Sequence, residues 1–331
     1  MDFRPAVTAA SLLALTAAFA PTVSHAADTE QIVNALNAIF GKQAPGGRAS
    51  HAKGQCVKGT FTGTAEAAAL TKSASFAAGE RPVLGRFSIG GGNPKVPDTA
   101  KAAVRGFAFK IDPDGKTSSE FAMVNAPVQF AKNLEQLLGF LQARAPGADG
   151  KPDPEKIKAF AEANPETKRQ GAFIAAKPLP ASYAGVNYWG IHSYTATNAA
   201  GASQLMKFKL VPSAGEAGLS DDEAKGKPAD FLVAELTERL AKGPAAFDVL
   251  AIPGQEGDTS NDPSQTWKDE DTRKTVKLGT LAITALEDSK VCDGGVFDPT
   301  NLADGIAGPK DDDLFAARSP AYAISATRRA N

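Results

Sequence analysis

Histidine and cysteine are scarce in this chain of 331 residues, which has 3 His and 2 Cys. Methionine and tryptophan are also rare, at 3 and 2 residues. A metal centre built from clustered histidine or cysteine ligands needs more of these side chains than the chain supplies. A four-ligand zinc motif and a C-x-x-C redox motif are both absent, although a metal held by another kind of ligand is not excluded.

An excess of charge of one sign is also lacking, because 36 Lys and Arg face 37 Asp and Glu. Binding to nucleic acid requires a concentrated basic surface, so nucleic acid is not expected as the main partner. No apolar run is long enough to span a bilayer. Hydrophobic residues make up 43% of the chain, which is ample for the core of one large domain or two average ones.

The N-terminal segment has the layout of a secretory signal peptide. Arg4 supplies a positive charge, residues 7–20 are apolar apart from small polar side chains, and Ser24-His25-Ala26 has the small-x-small pattern of a cleavage site. We therefore expect residues 1–26 to be removed and the mature protein to be periplasmic or secreted. The alternative is that this segment is a buried helix of the mature fold.

The two cysteines, Cys56 and Cys292, have only each other as a partner within the chain. In an oxidising compartment they could form a disulfide that joins the front of the chain to its back. Two unpaired buried thiols are the alternative, since the Cα separation that a bridge requires cannot be read from the sequence.

Short alternating apolar runs are typical of strands and recur through most of the chain. In one of them Phe107, Phe109 and Ile111 share a face, and an Asp-Pro-Asp-Gly turn follows. Together with the helical spacing, this pattern predicts an α+β fold, an antiparallel barrel or sandwich with inserted helices. The expected helices are 29–40, 130–143, 155–163 and 221–242, and the further strands are 121–124, 188–197, 204–210, 247–252 and 276–286.

Two polar features stand out from this pattern. His51 follows Arg48 by three residues and precedes the first strand, where a histidine is well placed for acid–base chemistry near neutral pH. Near the other end, Arg318 and Tyr322 are four residues apart and would share a helix face. A guanidinium beside a phenol favours the phenolate, which is a suitable ligand for ferric iron. The spacing alone favours the alternative, a tyrosine that covers the core beside a surface arginine.

Taken together, these segments resemble the monofunctional haem catalases. Arg48-x-x-His51-Ala52-Lys53-Gly54 is similar to the distal histidine motif of that family, and Arg318-x-x-x-Tyr322 is similar to its proximal ligand motif. Further segments match the family in order and approximate spacing: 86–92, 105–110, 125–130, 190–201 and 297–302.

The resemblance implies an antiparallel β-barrel of the haem catalase type with inserted and flanking helices, formed by residues 27–331 as a single domain that binds haem b. On the peroxide side of the haem, it implies that His51 is the acid–base residue and that Ser88 orients its imidazole. Asn125 would hold the peroxide by hydrogen bonding. His192 has a counterpart in the family and is interpreted as structural.

On the other side of the haem, the resemblance implies that Tyr322 is the iron ligand and that Arg318 keeps it ionised. Arg48, Arg86 and Arg329 would be the cations at the haem propionates or the haem edge, because planar guanidinium groups suit carboxylates.

The sequence departs from typical catalases at three places. Those proteins continue well beyond the proximal tyrosine, so we expect a minimal core, a monomer or small homo-oligomer that lacks the C-terminal helical domain and resembles the shorter catalase-related haem peroxidases. Gln129 stands where typical catalases have an aromatic residue. Pro320 lies between Arg318 and Tyr322, and because proline is tolerated only in a first helical turn, the helix should begin close to Arg318.

These observations predict a peroxidase that reduces hydrogen peroxide and oxidises a small organic donor, with weak catalase activity beside it. One alternative is a haem enzyme that rearranges organic hydroperoxides. Another is a barrel that binds haem or a lipophilic ligand without catalysis. The presence of His51 and Asn125 argues against simple binding, which needs no distal proton shuttle.

Overall fold

The alternating apolar segments of the chain form a closed β-barrel in the computed structural model, which describes residues 25–40 and 47–330. The expected signal peptide lies outside the described residues except for its last two positions, 25 and 26, which belong to the first helix. Within the described residues, no helix is both long and apolar enough to cross a membrane.

Eleven strands are present in the described residues, and eight of them build the barrel. The other three are two-residue strands outside the closed barrel. In chain order the strands are β1 (Lys53–Gly63), β2 (Gly79–Ile89), β3 (Arg105–Ile111), β4 (Ser119–Val124), β5 (Leu179–Pro180), β6 (Tyr188–Thr197), β7 (Ser203–Pro212), β8 (Gly218–Leu219), β9 (Ala245–Pro253), β10 (Val276–Leu286) and β11 (Ile306–Ala307).

The barrel strands pair antiparallel in the order β6-β4-β3-β2-β1-β10-β9-β7, and pairing of β7 with β6 closes the ring. The short strand β11 extends the sheet beside β6. The register of β2 with β3 sets Ser88 opposite Gly106, and that of β1 with β2 sets Gly54 opposite Ser88. Gly54, Ser88 and Gly106 therefore lie side by side on three neighbouring strands, and His51 is three residues before Gly54.

Aromatic side chains fill the interior of the barrel. The rings of Phe87 and Phe107 stack with centroids 4.0 Å apart, and those of Phe109 and Phe121 stack at 4.8 Å. These side chains are fully or almost fully buried, as the alternation in β3 predicts. Because stacked rings fill this interior, the open space of the protein lies outside the barrel wall.

The helices lie around the barrel, and helix 25–40 packs against both helix 134–142 and helix 318–330. Ile32 of the first helix and Leu134 of the third belong to one small apolar cluster. The helices are α1 (His25–Phe40), α2 (Ala67–Leu70), α3 (Leu134–Gln142), α4 (Pro154–Ala163), α5 (Arg169–Ala175), α6 (Asp221–Lys225), α7 (Phe231–Lys242), α8 (Ser289–Asp293), α9 (Asp313–Ala316) and α10 (Arg318–Ala330).

The predicted barrel is confirmed, and several boundaries match, including both ends of β6 and β10. The prediction of one helix over 221–242 is wrong, because α6 ends before Gly226 and Pro228 and α7 begins only at Phe231. The predicted start at residue 130 is also wrong, because Asn133 caps α3 by accepting a hydrogen bond from the Gln136 amide.

The two cysteines form a disulfide, so the alternative of two unpaired thiols is wrong. Their Cα atoms are 5.9 Å apart, and the bridge joins β1 to α8 across 236 positions of the chain. Both residues are buried against Phe297. The bridge therefore fixes the 289–293 helix to the barrel wall.

Replacing both cysteines, as Cys56→Ala with Cys292→Ala, should lower the free energy of unfolding by about 2–5 kcal/mol, because a long loop is no longer closed in the unfolded chain. Urea denaturation of the two proteins would measure this difference. Wild-type protein held under reducing conditions is the control and should approach the variant. Equal midpoints for the oxidised wild type and the variant would contradict the stabilising role of the bridge.

Candidate functional site

A cavity of about 410 Å³ lies between the outer face of β2, β3 and β4 and the helices α1, α3 and α10. Its lining is mostly apolar, with Ile32, Phe130 and Leu137 among the larger side chains. Polar groups are few, and they include six of the eight residues that the sequence predicts for the site. Those six are Arg48, His51, Arg86, Ser88, Arg318 and Tyr322.

The backbone of His51 has a left-handed conformation, with φ of 54°, which is unusual for a residue other than glycine. Arg86 holds it in place, because one guanidinium nitrogen donates to the His51 carbonyl at 2.8 Å and another to the Ala52 carbonyl at 3.0 Å. The Ala52 amide donates in turn to the Gly91 carbonyl at 3.0 Å. Two nitrogens of the Arg86 guanidinium are therefore bound to the loop that carries His51.

The imidazole of His51 is held by Ser88, whose Oγ lies 2.9 Å from Nδ1. Ser88 Oγ also lies 3.5 Å from the Gly106 carbonyl, which can accept the hydroxyl hydrogen. This arrangement places the imidazole proton on Nδ1 and leaves Nε2 with its lone pair. Burial, followed by the positive charges of Arg86, Arg318 and Arg48, lowers the pKa of His51 to about 4. His51 is therefore a neutral base at physiological pH.

Gly106 permits this close approach and was missed in the sequence. A Cβ added there would lie 2.7 Å from Ser88 Oγ and 2.8 Å from the ring of His51. Any side chain at this position would displace the imidazole. The available signal was Gly106 itself, an isolated glycine within a strand pattern, which often marks a close approach.

Asn125 lies at the end of β4 and is buried, but it does not line the cavity directly. Its Oδ1 accepts from the backbone amide of Arg105 at 2.8 Å. The carboxamide orientation is set by this bond, so the NH₂ end is the one that remains to donate. Within the described residues that end has no hydrogen-bond partner.

The predicted pairing of Arg318 and Tyr322 is present, with a guanidinium nitrogen of Arg318 donating to the Tyr322 oxygen at 3.0 Å. Helix α10 begins at Arg318, as Pro320 requires, so the proline falls in the first turn. Burial alone would lower the pKa of Arg318, but the charges of Tyr322, Tyr194 and Asp312 and the hydrogen bond to Tyr322 together outweigh it, and the pKa is raised. Arg318 is therefore a cation that donates directly to the Tyr322 oxygen.

A second network fixes Arg318 from behind. Its Nε donates to His192 Nε2 at 2.8 Å, so His192 Nε2 is the acceptor and Nδ1 carries the proton. Nδ1 donates to Asp312 Oδ2 at 2.6 Å. Burial and the charge of Arg318 lower the pKa of His192 to about 4. His192 is therefore structural, as interpreted from the sequence, and its role is to orient Arg318; the part played by Asp312 was missed.

Arginines gather at one end of the cavity with little negative charge to balance them. Arg48 donates to the carbonyls of Cys292 and Gly295, and Arg329 also donates to Gly295. Asp293 is the nearest carboxylate to Arg48, at 4.0 Å. Burial, then Arg86 and Arg329, lower the pKa of Arg48 to about 10. This end of the cavity is therefore short of anionic partners.

These residues fit the haem that the resemblance implies. The Nε atoms of Arg48 and Arg329 are buried and have no hydrogen-bond partner in the described part of the chain, which suits the carboxylates of two propionates. The apolar lining suits the porphyrin, and Tyr322 is a suitable ligand for its iron. Arg329 itself lies beside the cavity, with Nη1 bonded to Ser325. No cluster of three His, Cys, Asp or Glu that could hold another metal occurs among residues 25–40 and 47–330.

Comparison with protein families matches residues 28–331 to the catalase family model. Two curated relatives are each called a catalase-related peroxidase. The one from Synechococcus elongatus is 38% identical over 91% of this chain and 88% of its own length. The one from Mycolicibacterium paratuberculosis is 35% identical over 91% of this chain and 94% of its own length.

Solved structures share the fold at lower identity. A bacterial catalase matches 88% of this chain with a TM-score of 0.76 and 22% identity, and catalase A from Saccharomyces cerevisiae matches the same share with a TM-score of 0.76 and 20% identity. This chain spans 59% and 62% of those two proteins.

The neutral state of His192 makes stability depend on pH. Its pKa is about 4 in the folded protein, where Arg318, Asp312 and Lys207 face it, and about 6.5 in an unfolded chain. Between these values only the unfolded chain binds the proton. The contribution is therefore fully present above pH 6.5 and falls by about 3 kcal/mol as the pH drops to 4.

Urea denaturation at several pH values, for the wild type and for His192→Gln, would measure this effect. The variant is expected to be less stable at pH 7 but to lose less stability between pH 6.5 and 4. Both proteins contain the same carboxylates, so their contribution to the pH dependence of the free energy of unfolding cancels in the difference between the two curves. Parallel curves would show that His192 binds its proton over the same pH range in the folded and the unfolded chain, which would contradict the lowered pKa.

Proposed function

Because this chain belongs to the catalase family, we propose that it is a haem-dependent peroxidase that reduces hydrogen peroxide at the expense of a small organic donor. One observation carries the proposal: a neutral base, His51, and a guanidinium-backed phenol, Tyr322, line the same apolar cavity. Catalase-related peroxidases from two bacteria match about nine tenths of the chain, which supports peroxidase chemistry.

The resident cofactor in this proposal is haem b, and when bound it supplies the electrons that reduce the O–O bond. Tyr322 is its iron ligand. Arg318 keeps the phenol ionised through its positive charge and its hydrogen bond, and His192 orients Arg318 for this. Arg48 and Arg329 hold the propionates, and Arg86 serves chiefly to hold the loop of His51.

On the peroxide side, His51 Nε2 takes the proton from one oxygen of hydrogen peroxide and delivers it to the other. The leaving oxygen then departs as water instead of hydroxide. Ser88 keeps the Nδ1 proton in place, so Nε2 is the nitrogen that exchanges protons. The free NH₂ end of Asn125 donates a hydrogen bond to the peroxide. The lowered pKa of His51 keeps the base available at neutral and mildly acidic pH.

Replacing the distal base, as His51→Asn, should lower the rate of reaction with hydrogen peroxide by about 10²–10⁴, the usual contribution of general acid–base catalysis. Asparagine is chosen because it tolerates the left-handed backbone at this position. Stopped-flow spectroscopy of the haem-loaded protein would give the rate. The variant should keep its resting visible spectrum, and an unchanged rate would remove His51 from the mechanism.

Replacing the proposed iron ligand, as Tyr322→Phe, should shift the resting visible spectrum of the haem-loaded protein or abolish haem retention. The matched control is Tyr183→Phe, which removes a buried hydroxyl that has no hydrogen-bond partner in the described residues. That control should keep the wild-type spectrum. An unchanged spectrum in Tyr322→Phe would overturn the ligand assignment.

We also propose that the protein is exported to the periplasm or beyond. The signal-like pattern of residues 1–26 supports this, as does the Cys56–Cys292 disulfide, which persists in oxidising compartments. The family match begins at residue 28, just after the expected cleavage site. N-terminal sequencing of the mature protein should begin at Ala27, and retention of Met1 would contradict the proposal.

A further inference from the structure

Two glutamines bring polar side chains into the mostly apolar cavity, and neither has a role in the proposed peroxide reaction. Gln129 follows β4 and Gln170 belongs to α5, and both line the cavity. Gln170 is only 5% exposed. A buried carboxamide is expected to have a hydrogen-bond partner for both its oxygen and its nitrogen.

The backbone fixes the orientation of both side chains. Gln170 Nε2 donates to the Val128 carbonyl at 2.7 Å, and turning the amide over would set two oxygens against each other. Gln129 Oε1 accepts from the Phe130 amide at 3.0 Å, and turning it over would set two donors together. Gln129 Oε1 and Gln170 Nε2 also lie 3.4 Å apart.

One donor and one acceptor remain after this count. Gln129 Nε2 and Gln170 Oε1 have no hydrogen-bond partner among the residues that the structure describes, although both residues line the cavity. A porphyrin has no hydrogen-bonding group for these two atoms, because its only polar groups besides the ring nitrogens are the propionates, which the arginines would bind. A hydroxyl group satisfies both atoms at once, since it donates through its hydrogen and accepts through its oxygen.

We infer that Gln129 and Gln170 bind the hydroxyl of a phenolic electron donor, with its aromatic ring against the apolar lining of the cavity. Phe130, Leu134 and Leu137 belong to the apolar lining of the same cavity. The inference rests on the proposed peroxidase function and identifies the class of its donor. Two phenol molecules each lose one electron and one proton and leave as phenoxyl radicals. The two electrons and two protons reduce one hydrogen peroxide to two water molecules.

The test compares two donors in the haem-loaded protein. Guaiacol carries a phenolic hydroxyl, whereas N,N,N′,N′-tetramethyl-p-phenylenediamine is readily oxidised and has no N–H or O–H group. The variants are Gln129→Met and Gln170→Met, which keep side-chain length but remove the amide. Gln142→Met, at an exposed position of α3, is the matched control.

Each cavity variant should raise KM for guaiacol about fivefold, as expected for one lost hydrogen bond. KM for the diamine, kcat with it and the rate of reaction with peroxide should stay within twofold of the wild type. Calorimetric titration without peroxide should show the same fivefold rise in the Kd of guaiacol. Gln142→Met should match the wild type throughout.

An equal change in KM for both donors, or no change in guaiacol binding, would overturn the inference while the diamine still reports peroxidase turnover. Gln129 Nε2 and Gln170 Oε1 would then bind only water and not the donor. Gln129→Met decides the matter should Gln170→Met not fold, because it leaves the bond to Val128 intact. Failure of the wild type to oxidise either donor with peroxide would instead overturn the proposed function and the inference with it.

Discussion

The hydrogen bonds of Arg318 are the constraint on which the site depends. Its guanidinium donates on one side to His192 and on the other to Tyr322. His192 accepts from Arg318 through the lone pair of Nε2 and donates its Nδ1–H to Asp312, so it stays neutral and Arg318 has no second cation beside it there. The charge is therefore directed at the phenol. An arginine with a carboxylate as direct partner would have its charge neutralised before it reached Tyr322.

The barrel contributes rigidity at the opposite side of the cavity. His51 has a strained backbone, and such a conformation persists only where the surroundings determine it. Arg86 from β2 holds the carbonyls, Ser88 from the same strand holds the ring, and Gly106 from β3 leaves room for it. Three residues on two paired strands thus place one imidazole. Their relative positions follow from the register of β2 with β3. That register is fixed because a shift by one residue would turn the buried side chains out of the barrel interior.

Local features of the site could be predicted from the sequence, whereas contacts between distant segments could not. Pro320 indicated where α10 begins, and the four-residue spacing to Tyr322 then followed from helix geometry. The pairing of His192 with Asp312 joins positions 120 residues apart, and no local pattern contains it. The same holds for the disulfide, whose Cα separation is a property of the fold. The loop of His51 is likewise held by Arg86 of β2, which is 35 positions away along the chain.

The disulfide and the arginine cluster belong to one construction. Cys292 is bonded to β1 through its sulfur and accepts from Arg48 through its carbonyl, while Gly295 three residues later accepts from both Arg48 and Arg329. Arg48 comes from the start of the described barrel region and Arg329 from the last helix. Two ends of the chain therefore converge on one short segment that the bridge fixes to the barrel. The two guanidinium groups repel each other. The carbonyls of Cys292 and Gly295, on a segment that the disulfide fixes, hold both arginines in place until an anionic group binds between them.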